Sequence, residues 1–123
     1  MDRKDLRIGD RVKYGDYVIT VWSVGRESVM NDVDGVIPLD RLEPIYLSKE
    51  LLLELGFKEN IIEPTFYIHF NNGFVNTIEH EDGLWYVEID NNIHESIGST
   101  NIDSIHQLQH FVWDCLHQEL KFI

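Results

Sequence analysis

The chain has one cysteine among 123 residues, so no disulfide can form within it. A lone Cys115 favours a reducing, cytoplasm-like compartment. No stretch approaches the 18 or so consecutive apolar residues of a membrane-spanning helix, so no membrane association is expected. No apolar core follows Met1-Asp2-Arg3-Lys4, which excludes a signal peptide there. Walker loops, GxGxxG and GxSxG are all missing, so no phosphate cradle or nucleophile elbow is indicated and no cofactor is expected. Internal repeats and low-complexity tracts are absent too. Positive charge is scarce in the second half. Residues 1–58 hold nine of the ten Lys and Arg against eleven acids, a formal −2. Residues 59–123 hold Lys121 alone against eleven acids, a formal −10, together with all six histidines. Such a surface repels a phosphate backbone, which disfavours direct nucleic-acid binding through the C-terminal half and suits a basic protein partner.

What the chain does have is enough apolar content, 43%, for a core. The stretch that organises it is 101–122, whose periodicity predicts an amphipathic helix. Ile102, Ile105, Leu108, Phe111, Val112, Cys115, Leu116 and Leu120 fall on one side of a wheel, and Asp103, His106, Gln107, His110, Asp114, His117 and Gln118 on the other. Ser99 or Thr100 suits the N-cap. An isolated helix of this length is marginal in water, so a sheet must cover the apolar stripe.

Upstream, short alternating segments separated by turns predict strands at Arg11–Tyr14, Tyr17–Val24, 27–31, 36–39 and 41–46, with Asp34-Gly35 as a hairpin signal. Five short strands in about 40 residues point to a small SH3-like barrel. Ser48 caps a short helix, with Leu47 and Leu52 placed as a hydrophobic staple and Gly56 as its stop. Residues 57–64 read as a connection. Strands are expected at Thr65–Phe70, 74–80, 84–90 and 93–97, joined by Asn- and Gly-rich turns. The expected class is therefore α+β: an SH3-like N-terminal lobe over 1–46, then a short helix, a four-stranded antiparallel meander and a covering C-terminal helix over 47–123, with one shared core as the alternative.

Candidate chemistry is sparse. His106 and His110 are four apart on the predicted helix, Asp114 follows after four more and His117 after three, so all four lie within about 80° of one another. An HxxxH pair on one helical face can bind zinc, with Asp114 as a further ligand, although a solvated polar face gives the same spacing. Cys115 lies about 180° from His106 and about 140° from His110 on that wheel, so neither activates it as a nucleophile within the helix. Glu79, Glu81 and Asp82, with Glu88 and Asp90, are candidate contacts for a basic partner; as turn-flanking acids they are equally explained by solvation. Tyr14, Tyr17 and Trp22 near Arg11, Lys13 and Arg26 are either a small groove or core.

Leu42-Glu43-Pro44-Ile45, Leu47-Ser48 and the run from Glu50 to Phe57, with Ile105-His106-Gln107-Leu108-Gln109 and Gln118-Glu119-Leu120, resemble a loose group of short uncharacterised proteins of Bacteroidales bacteria, their prophages and mobile elements. In that group an RIGDxV-like opening leads to an LxPIxL turn, an LLxxxGF helix, a meander and a terminal HQLQ helix. The resemblance spans nearly the whole chain and implies an architecture, with no activity for any residue. His110 and His117 are not part of the pattern.

The expectation is a non-enzymatic acidic binding protein, an inhibitor or adaptor of phage or mobile-element type whose C-terminal part meets a basic host protein surface. The alternatives are a small-ligand binder, such as one for a signalling nucleotide, whose phosphates only residues 1–58 can meet with Arg or Lys, and a metal-binding protein using the helix histidines.

Overall fold

The computed structural model describes residues 1–33, 35–81 and 83–121. The fold is α+β, with a curled antiparallel sheet forming a half-barrel, a second sheet and two helices. Two compact units result. One comprises 1–45 and 104–106; the other comprises 46–103 and the chain from Gln107 onward. Among the described residues no helix is long and apolar enough to cross a membrane.

In the first unit, β1 (Arg11–Tyr14), β2 (Tyr17–Val24), β3 (Ser28–Asn31), β4 (Val36–Pro38) and β5 (Leu42–Glu43) form one sheet in the order β4-β3-β2-β1-β5, every neighbour antiparallel. Gly15 has a φ of 59°, which the two-residue turn between β1 and β2 needs at its first central position. The hairpin expected at Asp34-Gly35 joins β3 to β4, with Gly35 at a φ of 69°; Asp34 lies outside the described residues. Alternation sends Val12, Ile19, Val21, Val29 and Ile37 inward, where they meet Leu6, Leu39 and Leu42. Ahead of β1, Arg7 to Asp10 is a tight turn. The Asp10 carboxylate accepts from the Arg7 amide at 2.8 Å, and the Gly9 amide donates to the Val21 carbonyl at 2.7 Å. The opening motif is thus a structural turn laid against β2.

In the second unit, α1 (Lys49–Glu54) starts where Ser48 Oγ accepts from the Leu51 amide at 3.2 Å, and Gly56, at a φ of 93°, follows its end. Then β6 (Lys58–Asn60), β7 (Thr65–Phe70), β8 (Gly73–Glu81), β9 (Leu84–Asn91) and β10 (Ser96–Ile102) form an antiparallel meander in the order β10-β9-β8-β7-β6. It has five strands rather than four. β6 lies in the expected connection and pairs with β7 through Lys58, Glu59 and Asn60, in a segment too short and polar to alternate visibly.

The last helix, α2, runs from Ile105 to Leu116 and not over 101–122. Residues 96–102 are strand instead, where a strand had been expected only over 93–97. Ser, Gly, Thr and Asn are poor helix formers, and the free edge of β9 supplies partners, Thr100 opposite Val87 and Ile102 opposite Trp85. Neither Ser99 nor Thr100 caps the helix; Gln107 Oε1 reaches back to the Asp103 amide at 2.9 Å. At the other end His117 is left-handed, with a φ of 54°, and its amide donates to the Trp113 carbonyl at 2.8 Å. The Asn72 side chain, from the β7–β8 turn, donates to the Leu116 carbonyl at 2.8 Å, and Gln118 donates to the side-chain oxygens of Asn71 and Asn72.

The helix lies close on the sheet. A Cβ placed on Gly73 would strike the Asp90 carbonyl oxygen and come within 2.8 Å of Leu116 Cδ2; one on Gly98 would come within 3.0 Å of Cys115 Sγ and 3.1 Å of Phe111 Cζ. Leu108, Val112 and Leu116 are buried, as are Val75, Trp85, Val87 and Ile89 of the sheet. Burying each of these large apolar side chains contributes about 1.5–3 kcal/mol. Gly73→Ala should cost about 1–3 kcal/mol, because a backbone carbonyl cannot swing aside as a side chain can. The denaturant midpoint measures it, and an unchanged midpoint would show that β9 leaves more room at Gly73 than the Asp90 carbonyl allows.

Candidate functional site

The helix constellation is not assembled as expected. His106, predicted on the solvated face, is only 4% exposed. It belongs to the first turn of α2, where Ser104, Ile105 and His106 are all buried within the first unit and the Ile105 amide donates to the Ile45 carbonyl at 2.9 Å. Gln107 beside it is exposed, so only part of this turn faces solvent, and the wheel misplaced the imidazole. His110 is half-buried and Asp114 exposed. His117 lies beyond the helix end, exposed, with its ring edge-on to Trp113 at 5.4 Å between centroids. Among the described residues no group of three or more His, Cys, Asp or Glu can hold a metal ion. Cys115 is half-buried under β10, and burial, then the Asp114 carboxylate, push its thiol above the ordinary range. A thiol held protonated in this way is a poor nucleophile.

The candidate acids divide into two places. Glu79 and Glu81 are exposed at the end of β8, beside a register shift against β9. Asp82 lies outside the described residues. Glu88 and Asp90 stand two residues apart on one face of β9, directly opposite Asn76 and Phe74 of β8. In the first unit, Tyr14 packs against the core while Tyr17 and Trp22 are exposed, Trp22 at the register shift between Val21 and Ser23. The three aromatics therefore do not line one groove.

The face carrying Glu88 and Asp90 is the one α2 does not occupy. Strand alternation puts Phe66, Val75, Val87 and Ile89 on the helix side and Tyr67, His69, Phe74, Asn76 and Tyr86 on the other. Four rings run across it. Tyr67 meets His69 at 5.5 Å, His69 meets Phe74 at 5.3 Å, and Phe74 meets His94 at 6.4 Å. His94 reaches Phe74 from the β9–β10 turn in a left-handed conformation, with a φ of 66°. At the centre of the face Asn76 Oδ1 is occluded and has no hydrogen-bond donor. The ring row was missed from the sequence. The period of two in β7 already separated Tyr67 and His69 from Phe66 and Ile68, but joining them to Phe74 and His94 required the register across two turns.

No family model, curated protein or solved structure matches the chain. The face carries its own chemistry: aromatic surface, two carboxylates and an unsatisfied amide acceptor, on strands inside the sheet.

Two outcomes are expected. Zinc should leave the melting temperature unchanged, because His106 is interred and His117 is off the helix; a rise abolished by His110→Ala would reverse this. Asn76→Thr should stabilise the fold by about 1 kcal/mol, by removing an unsatisfied acceptor and adding a β-branched residue to a strand. A lower denaturant midpoint in that variant would show that the Asn76 amide is satisfied in solution.

Proposed function

We propose that this chain is a non-enzymatic, acidic protein-binding module that docks on a basic protein surface. The observation that carries the reading is the outer face of the second sheet, where Glu88 and Asp90 stand among exposed and half-buried rings. It lies in the half of the chain that holds one basic residue against eleven acids. Long-range attraction from that half steers a basic partner, and the aromatic face supplies contact area once it arrives. The same reading takes the five-stranded first unit as an SH3-like lobe. It takes the biological setting from the resemblance, as an inhibitor or adaptor carried by a phage or mobile element and acting in the host cytoplasm.

Titration of the intact protein with a Lys/Arg-rich peptide tests this. Binding should be measurable at low ionic strength and weaken about tenfold or more toward 0.5 M salt, as screening removes the steering and contact terms. An acidic peptide of the same length should not bind. Failure of the basic peptide to bind at low salt overturns the reading.

A further inference from the structure

The outer face of the second sheet is specific about which cation it suits. Register places two cross-strand pairs side by side, Phe74 opposite Asp90 and Asn76 opposite Glu88. Directly opposed residues have Cβ atoms about 5 Å apart, and residues two apart on one strand lie about 7 Å apart. The four side chains therefore frame a patch the size of one planar head group. Each contributes something different. Phe74 offers its ring, with His69 tilted against it at 5.3 Å and His94 steeply inclined to it at 6.4 Å. Glu88 and Asp90 offer carboxylate oxygens at half-buried positions, where they are less screened than at a free tip. Asn76 completes the frame, its side-chain oxygen occluded and without a donor in the folded chain.

That last feature is otherwise unexplained. Asn is disfavoured in strands, β8 is the central strand of five, and an occluded acceptor without a donor costs stability. Departures of this kind from local preference are expected where a chain is built to bind.

We propose that this patch reads an arginine side chain of the basic partner, the guanidinium stacking on Phe74 and donating to Asp90 and Glu88. This deepens the reading above and rests on it. Arginine fits better than lysine for three reasons. Its head group is flat and stacks on a ring, its N–H donors diverge in a plane and can serve several acceptors, and it gives up water more readily than an ammonium. The base nearest in register, Lys58, stands opposite Tyr67 on β6, three strand spacings or about 14 Å from Glu88, so it does not neutralise the pair.

The test compares two double variants with the same loss of charge. Glu88→Gln with Asp90→Asn empties the face; Glu79→Gln with Glu81→Gln neutralises the end of the β8–β9 hairpin. Each intact variant, with its melting temperature checked, is titrated with an arginine-rich peptide and with a lysine peptide of equal length and charge. Wild type should bind the arginine peptide at least about fivefold more tightly than the lysine peptide. The face variant should lose about tenfold or more, while the hairpin-end variant loses under about twofold. If the face variant does not fold, Phe74→Leu carries the same test and should erase the preference for arginine. Equal binding of the two peptides, or equal losses in the two double variants, overturns the arginine site and leaves the basic-partner reading standing. Binding of neither peptide by wild type overturns both.

Discussion

The close seating of α2 on the second sheet governs most of what is described above. Two glycines permit it, Gly73 on β8 and Gly98 on β10, where a methyl group would meet Asp90, Leu116, Cys115 or Phe111. The β7–β8 turn then holds the end of the helix through Asn72 and the Leu116 carbonyl. Helix and turn are thus tied together at one end of the sheet, far apart in sequence. Once one face of the sheet is committed to the helix, strand alternation leaves no freedom for the other. Tyr67, Phe74, Asn76, Glu88 and Asp90 face outward because Phe66, Val75, Val87 and Ile89 face in.

Antiparallel sheets tolerate one solvated face, so an uncovered outer surface is not in itself a sign of function. Its composition is more informative. A face meant only for water could be built from Thr, Lys and Glu at no cost. This one carries half-buried rings and an amide oxygen without a donor on its central strand. Glu79 and Glu81, both exposed, are elsewhere, at the end of the hairpin. In the proposed reading, net charge supplies attraction over distance and the face supplies the contact.

The histidine-rich helix shows how a plausible ligand set can dissolve on folding. Spacing alone put four side chains on one arc. The helix proved shorter at both ends, which left His117 in a left-handed residue after it and His106 buried in its first turn. Helical spacing predicts a shared face only while the helix lasts and only where that face is not itself covered.

Much of the local architecture was legible in the residues. Arg11–Tyr14, Tyr17–Val24 and Thr65–Phe70 are strands with the expected bounds, because β-branched and aromatic alternation bounded by Gly and Asn turns is a local signal. Ser48 caps α1, and Gly56 follows it, for equally local reasons. The charge imbalance was likewise written in the order of residues. Pairing was not. The strand at 96–102 exists because β9 offered an open edge to a segment with weak preferences of its own, and β6 exists because β7 did. The juxtaposition of Phe74, Asn76, Glu88 and Asp90 follows from register across the β8–β9 hairpin, and the arrival of His94 from the geometry of the next turn. Burial of His106 depended on which surface its turn met. Local preference acts over a few residues, whereas register and burial are decided by contacts between segments distant along the chain, and those arise only when the whole chain has folded.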